Sequence, residues 1–327
     1  MRGVKIKDVA IYHPEHSRDN QFYIDHFDKQ GKDIRHFMDY MGRKSRYIIT
    51  DEEENGLTMG IAAAKRVLEK SNCSGQDLDI IVFSSQVPEY TFPSNAMILH
   101  REIQGGPHTL VYDNNANCAG MTVAIEQLSR YMQANPKVNR VLVVGSDYNT
   151  LLCDPQNEIT YANYGDAACA VILESSDEEG FIDSEYFTDS INMEKIKYPQ
   201  EGLSNALHGK SSGKYINWLP FDADMALPHI DEMLDTLLER NGLAASDVKA
   251  YCLSQFSLAN VLHVKKHLHL TDRQVIYIGD RFGYTSTSSP FMALHEAIQT
   301  GVVKRGDYVL FWTIGCGYQL ASMLYKY

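Results

Sequence analysis

The 327-residue chain contains no apolar run approaching the roughly 20 residues that span a bilayer. Its start, Met1-Arg-Gly-Val-Lys-Ile-Lys7, lacks the apolar stretch of a secretory signal, so a cytoplasmic protein is expected. Positive charge is in short supply: the formal net charge of -12 argues against nonspecific binding to nucleic acid or anionic membrane. Two basic islands remain, Lys265-Lys266 and Arg43-Lys44-Ser45-Arg46, suited to a small anionic partner or merely solubilising. The cysteines (Cys73, Cys118, Cys153, Cys169, Cys252, Cys316) include no C-x-x-C pair and no tight His/Cys spacing, which excludes an evident zinc site or disulfide framework. His263, His267 and His269 stand beside lysines with no carboxylate near in sequence, and read as a solvated helix face rather than metal ligands. No cofactor motif is present, and none is expected.

Hydrophobic residues make up 44% of the chain, enough for one large or two medium domains with real cores. Val- and Ile-rich runs alternate with helical patterns, which predicts a layered α/β fold with largely buried strands. In the first half, a helix over Met59 to Ser71 precedes strands at Leu78–Phe83, Arg140–Ser146 and Ala167–Leu173. The second half repeats the plan. A helix from about Met225 to Asn241 leads to a strand at Val248–Leu253, a helix over Ser257 to Leu268 and a strand at Gln274–Ile278. A further helix follows Ser289-Pro290, and strands at Tyr308–Trp312 and Gln319–Tyr325 close the chain. The weakly periodic, polar segment from Glu174 to Leu219 is expected to join the halves across the surface. The division is placed at residues 1–175 and 176–327.

One stretch stands out, Val111-Tyr-Asp-Asn-Asn-Ala-Asn-Cys118-Ala-Gly-Met-Thr122, in which an extended run delivers a cysteine into the start of a helix. Unpaired amides and the helix dipole favour thiolate there, and Ala119 and Gly120 let a carbonyl approach the sulfur. Cys118 reads as a nucleophile; the alternative is a buried cysteine acting as a small hydrophobe.

These residues resemble the β-ketoacyl-acyl-carrier-protein synthase III family of the thiolase fold. The Cys118 elbow, Phe92-Pro93-Ser94, Gly165-Asp166-Ala-Ala-Cys-Ala-Val-Ile-Leu173 and Lys304-Arg-Gly-Asp-Tyr-Val-Leu-Phe-Trp-Thr-Ile-Gly-Cys-Gly317 carry the match, in family order. The resemblance implies two similar βαβ-rich halves with five-stranded mixed sheets in a layered α-β-α-β-α body. A homodimer is usual; a heterodimer with a homologue is the alternative. It implies that Cys118 takes an acyl group from a thioester and that the oxyanion is held by its own N–H and that of Gly317. Gly317 also has a purely conformational reading, as the turn between two strands. Phe92 matches a residue that walls the neighbouring subunit's acyl pocket, against a reading as ordinary core packing.

The chain departs from the family where condensation is carried out. A His-Gln-Ala-Asn motif is replaced by Ser254-Gln255-Phe256-Ser257, and Gly-Asn-Thr-Ser by Gly283-Tyr284-Thr285-Ser286, so both catalytic side chains are gone. Losing one oxyanion donor costs about 3 kcal/mol, which should slow decarboxylative condensation sharply. Acyl transfer needs only the nucleophile, its oxyanion hole and a base. Ser254, Tyr284 and His295 are the remaining catalytic candidates, His295 standing against a reading on the wet face of its helix; Gln255 is a candidate for substrate binding. The coenzyme A adenine grip is altered, with Ala259 at the arginine position and His36 or Phe37 near the aromatic one. Lys265 and Lys266 match residues that dock the acidic acyl carrier protein, so a carrier-bound donor is expected ahead of acyl-coenzyme A. The rival readings are a condensing enzyme that retains carbon-carbon bond formation and a noncatalytic partner of an active homologue. Cys316 reads as a packed small residue, with narrowing of the site or oxidation as alternatives.

Overall fold

A computed structural model describes residues 2–210 and 213–327. The first sheet is built from β1 (Gly3–Tyr12), β2 (Ile80–Ser84), β3 (Leu110–Asn114), β4 (Arg140–Asp147) and β5 (Ala167–Ser176), in the order β1-β5-β4-β2-β3. The β2, β3 and β4 strands run parallel, while β5 is antiparallel to both β1 and β4. The second sheet contains β6 (Phe181–Thr188), β7 (Val248–Leu253), β8 (Tyr308–Gly315) and β9 (Gln319–Lys326), in the order β7-β8-β9-β6.

Strand alternation explains the layering. In β2, Ile80 and Val82 face the second sheet while Ile81 and Phe83 face outward. In β8, Val309 and Phe311 face the first sheet while Leu310 and Trp312 face outward. Both faces of the central strands are therefore buried, which is why they read as continuous apolar runs, while the edge strands β3 and β6 stay partly exposed. The space between the sheets is filled by helices α3 (Gly120–Ala134) and α6 (Ser289–Gln299), whose Met121, Ile125, Phe291 and Leu294 share one core with both sheets. Helices α1 (Gly56–Lys70) and α2 (Asn95–Glu102) cover the outer face of the first sheet. Helices α4 (Leu227–Arg240) and α5 (Leu258–His267) cover that of the second. The result is the expected α-β-α-β-α stack.

Four expectations need correction. Helix α1 begins at Gly56, three residues before the apolar pattern, because Asn55 caps it by accepting from the Leu57 and Thr58 amides. The second sheet has four strands. At Gln274–Ile278 the chain touches β7 through the Tyr251 amide to Gln274 O (2.8 Å) and the Ile276 amide to Tyr251 O (3.4 Å), a single bridge rather than a strand. The Glu174–Leu219 segment is more than a surface join: it supplies β6, and it contains a two-stranded antiparallel pair of Ile196–Lys197 and Asn217–Trp218. Nor are His263 and His267 a solvated face. Nε2 of His263 lies 2.9 Å from Asp231 and Nε2 of His267 lies 2.9 Å from Asp235, carboxylates that α4 brings across from 32 residues away.

The Arg43–Arg46 island is corrected as well. Arg43 and Arg46 are buried. Arg43 donates to Asn163 Oδ1, Tyr277 Oη and the carbonyls of Gln255, Phe256 and Gly279, while Arg46 donates to Ala162 O. Burial lowers the pKa of both, that of Arg46 to about 10. Neither is free to meet an anionic partner; Arg43 fastens the two halves together beside the site, and Arg46 ties segments within the first half.

Candidate active site

The elbow after β3 is made by tight turns. Asn117 sits at φ +51°, the Ala119 and Gly120 amides donate to Ala116 O and Asn117 O, and α3 begins at Gly120. A Cβ at Gly120 would lie 2.4 Å from Ser84 Oγ and 3.3 Å from Thr287 Oγ1, so the helix start fits against β2 only without a side chain. The Met121 amide donates to Thr287 Oγ1 (2.7 Å), tying this start to the segment before α6. Thr313 of β8 donates to Cys118 O (3.2 Å). Both halves thus hold the elbow.

Cys118 is 4% exposed. Ser286 Oγ donates to its sulfur at 3.3 Å and accepts from Gln86 Nε2 at 2.7 Å, while Gln86 Oε1 lies 3.8 Å from the sulfur. Ser286 itself sits at φ +57°, a conformation unusual for a residue with a side chain, and such strain is held at functional sites by the surrounding packing. The buried Asp147 carboxylate anchors this network, accepting from the Gln86 amide and Ser85 Oγ, both at 2.8 Å. Burial raises the Asp147 pKa above the ordinary carboxylate value.

The thiol at position 118 is more acidic than an ordinary cysteine. A hydrogen bond from the Cys316 thiol is the largest cause; burial opposes it, and hydrogen bonds from Ser286 and Tyr284 add to it. Cys316 and Tyr284 are pushed the other way, well above their usual values, so they remain protonated donors. Cys169 and Cys252 make the contrast plain. Both are fully buried in the shared core and burial alone drives their thiols upward. They are packed as small hydrophobes, whereas the Cys118 sulfur accepts hydrogen bonds.

Of the residues expected at the site, Tyr284 acts on Cys118 and Ser254 lies beside Tyr284. Tyr284 is pinned by its amide to Asn163 O (2.9 Å) and its carbonyl to the Gly165 amide (3.1 Å), and its phenol feels both Cys118 and Ser254. Ser254 is 1% exposed, and its Oγ has no hydrogen-bond partner of ordinary geometry. Gly317 sits at φ +82° in the turn between β8 and β9 and lines the same cavity as Cys118. Among the described residues, neither the Cys118 amide nor the Gly317 amide has a protein acceptor.

Other placements differ from expectation. Gln255 is fully buried and fully used: Nε2 donates to Leu253 O and Ile276 O, and Oε1 accepts from the Ile278 and Gly279 amides. It fastens the end of β7 to the 276–279 segment and has nothing left for substrate. His295 is half-buried on α6, where burial and Lys70 lower its pKa and Glu296 partly opposes them. It is not among the groups acting on Cys118. Phe92 is 87% exposed, which excludes core packing. Lys265 pairs with Asp272, and Lys266 is exposed. The cavity at Cys118 also has an aromatic wall of Tyr164, Trp218, Phe221 and Phe256 that no linear motif announced.

Sequence reasoning missed Ser286, Gln86 and the role of Cys316. Ser286 closes the quoted Gly-Tyr-Thr-Ser segment and was within reach; Gln86 carried no signal of its own.

The chain matches the model of the 3-Oxoacyl-[acyl-carrier-protein (ACP)] synthase III family over residues 112–190 and that of its C-terminal region over residues 238–327. It is 30% identical over 287 residues to the beta-ketoacyl-[acyl-carrier-protein] synthase III of Methylococcus capsulatus, covering 88% of each chain. With the protein of that name from Coxiella burnetii it shares 28% identity over 295 residues, covering 88% of this chain and 89% of the relative. The fold is that of the crystal structure of 3-oxoacyl-[acyl-carrier-protein] synthase III from Aquifex aeolicus, with a TM-score of 0.86, 23% identity and coverage of 99% and 100%.

Proposed function

The chain belongs to the 3-oxoacyl-[acyl-carrier-protein] synthase III family, and from that premise we propose that it is an acyltransferase working through an acyl-Cys118 thioester. The observation that carries this reading is the set of three donors, Ser286, Tyr284 and Cys316, aimed at one buried sulfur. They stabilise a thiolate without an imidazole. The thiolate attacks the carbonyl of a thioester donor, and the tetrahedral oxyanion takes the Cys118 and Gly317 amides, which have no protein acceptor to give up. The carrier thiol then leaves, and an acceptor releases the acyl group from Cys118.

The donor is an acyl group on acyl carrier protein, with acyl-coenzyme A as the alternative. Lys266, exposed at the end of α5, supplies positive charge for the acidic carrier, with Lys265 beside it. Exposed Phe92, together with Tyr90, Met97 and Leu110, gives a homodimer an apolar surface to bury.

A second reading is supported by Ser254, whose unpartnered Oγ lies beside the Tyr284 hydroxyl. Two hydroxyls there could hold an enolate oxygen in carbon-carbon bond formation. Intact-protein mass spectrometry with acyl-carrier-protein and coenzyme A thioesters tests the first step: a stoichiometric adduct absent from Cys118→Ala is expected. No adduct with any donor would overturn the acyltransferase reading in favour of a noncatalytic partner. Carbon dioxide released from a malonyl carrier would establish condensation instead of simple transfer.

A further inference from the structure

We propose that the acceptor of the acyl group is a small uncharged nucleophile carrying a planar aromatic ring, which reaches Cys118 through the aromatic-walled cavity. This rests on the acyl-Cys118 reading above and names its second substrate.

Two adjoining cavities lie at the site, the first lined by Cys118 and the second by its neighbours Asn117 and Cys316. The first includes Cys118 itself, Tyr284 and the Gly315–Gly317 turn. The second includes Gln86, Asn117, Asn149 and Leu152, and meets the first at Tyr164, Ile196 and Cys316. An acyl group on the sulfur can lie in one cavity while the nucleophile enters by the other. The chemistry of the first suits the nucleophile's ring. Trp218 and Phe256 are stacked at 4° with centroids 5.7 Å apart, Phe221 continues the stack at 6.3 Å from Trp218, and Tyr284 meets Phe256 edge-on at 5.3 Å. The stack therefore runs from half-buried rings down to a tyrosine that touches the nucleophilic sulfur.

Three further observations narrow the ligand. The cavity wall contains no Asp, Glu, Lys, Arg or His, so an ionised acceptor would lose its hydration there without a counter-charge. Phe256, in the segment directly after β7, both lines this cavity and stands against Tyr284, so the ring wall continues to the sulfur's own neighbour. Finally, Asn192 Nδ2 and Tyr318 Oη, both in residues lining this cavity, are buried without hydrogen-bond partners. Buried polar groups are normally satisfied, and a polar substituent on the ring would satisfy these two. In the transfer step the acceptor's O–H, N–H or S–H group attacks the thioester carbonyl. The new C–O, C–N or C–S bond forms, the C–Sγ bond breaks, and the acceptor's proton passes to the departing Cys118 thiolate, restoring the free thiol.

The test preforms acyl-Cys118, removes the donor and chases with matched nucleophiles of similar intrinsic reactivity. Benzyl alcohol and benzyl mercaptan are compared with cyclohexylmethanol and cyclohexylmethyl mercaptan, following loss of the adduct by intact mass. The aromatic member of each pair should react about tenfold faster at subsaturating concentration, as expected of ring stacking. Phe256→Ala and Trp218→Leu should each shrink that ratio several-fold. Independently of turnover, benzyl alcohol should quench the fluorescence of Trp218, and the quench should vanish in Trp218→Leu. Equal rates for ring and cyclohexyl partners, or a ratio indifferent to both substitutions, would overturn the proposal while leaving the acyl-enzyme intact. Failure to form any adduct would instead strike at the acyltransferase reading itself.

Discussion

The surroundings of Cys118 come from two halves that differ in how completely they are bonded. The first half gives a closed network: Asp147 holds Ser85 and the Gln86 amide, and Gln86 holds Ser286. The second half gives Ser254, Phe256, Tyr284 and Cys316, on loops beyond its strands or in the β8–β9 turn, where the Ser254, Asn192 and Tyr318 polar atoms are left without partners. A saturated network positions an atom that must not move. Unsaturated groups around an aromatic wall are what a site keeps for a ligand. The sheet-anchored side thus fixes Ser286 against the sulfur through Gln86, while Tyr284 and Cys316 reach it from the loops that also carry the unsaturated groups.

Five substitutions probe that division. Cys118→Ala should abolish the acyl adduct completely, by intact mass, while leaving the fold in place, because the side chain shrinks by one sulfur in a cavity wall. Arg43→Met should be the most damaging change outside the nucleophile. It strands the carbonyls of Gln255, Phe256 and Gly279, and a loss of about 3 kcal/mol in denaturant stability is expected, together with loss of acylation.

Ser286→Ala and Cys316→Ala sharpen the comparison, since the two donors come from the network side and the loop side. Each removes a bond to the thiolate, so the Cys118 pKa should rise. Alkylation by iodoacetamide at pH 7 should fall, by roughly tenfold for a bond worth about 1.4 kcal/mol, and the difference should close as pH rises past the raised value. Because Cys316 is the larger influence, its removal should slow alkylation more than that of Ser286. The reverse order would mean that the network side controls the thiol. The smallest effect is expected of Lys266→Glu. It should slow acylation from a carrier protein several-fold at low salt and hardly at all at high salt, measured by the initial rate of adduct formation.

The site was unevenly legible. Cys118, Gly317, Ser254 and Tyr284 drew notice because each lies in a linear segment with its neighbours as context, and the structure places them close together. Gln255 lay in such a segment too and was misread, since a buried amide that satisfies four backbone groups looks in sequence like one that faces a ligand. The Arg43 island failed for the same reason: only burial shows that a basic cluster is a clamp. His263 and His267 read as a wet face because Asp231 and Asp235 are distant in the chain, although α4 and α5 pack side by side.

By itself the sequence determined the strand and helix alternation, the layered architecture and the cysteine at a helix start, because apolar periodicity and local turn chemistry act over a few residues. Tertiary structure alone decided which thiol is acidic and what surrounds it. Ser286 and Cys316 stand 168 and 198 positions from Cys118, and hydrogen bonding and burial depend on distance in space rather than along the chain.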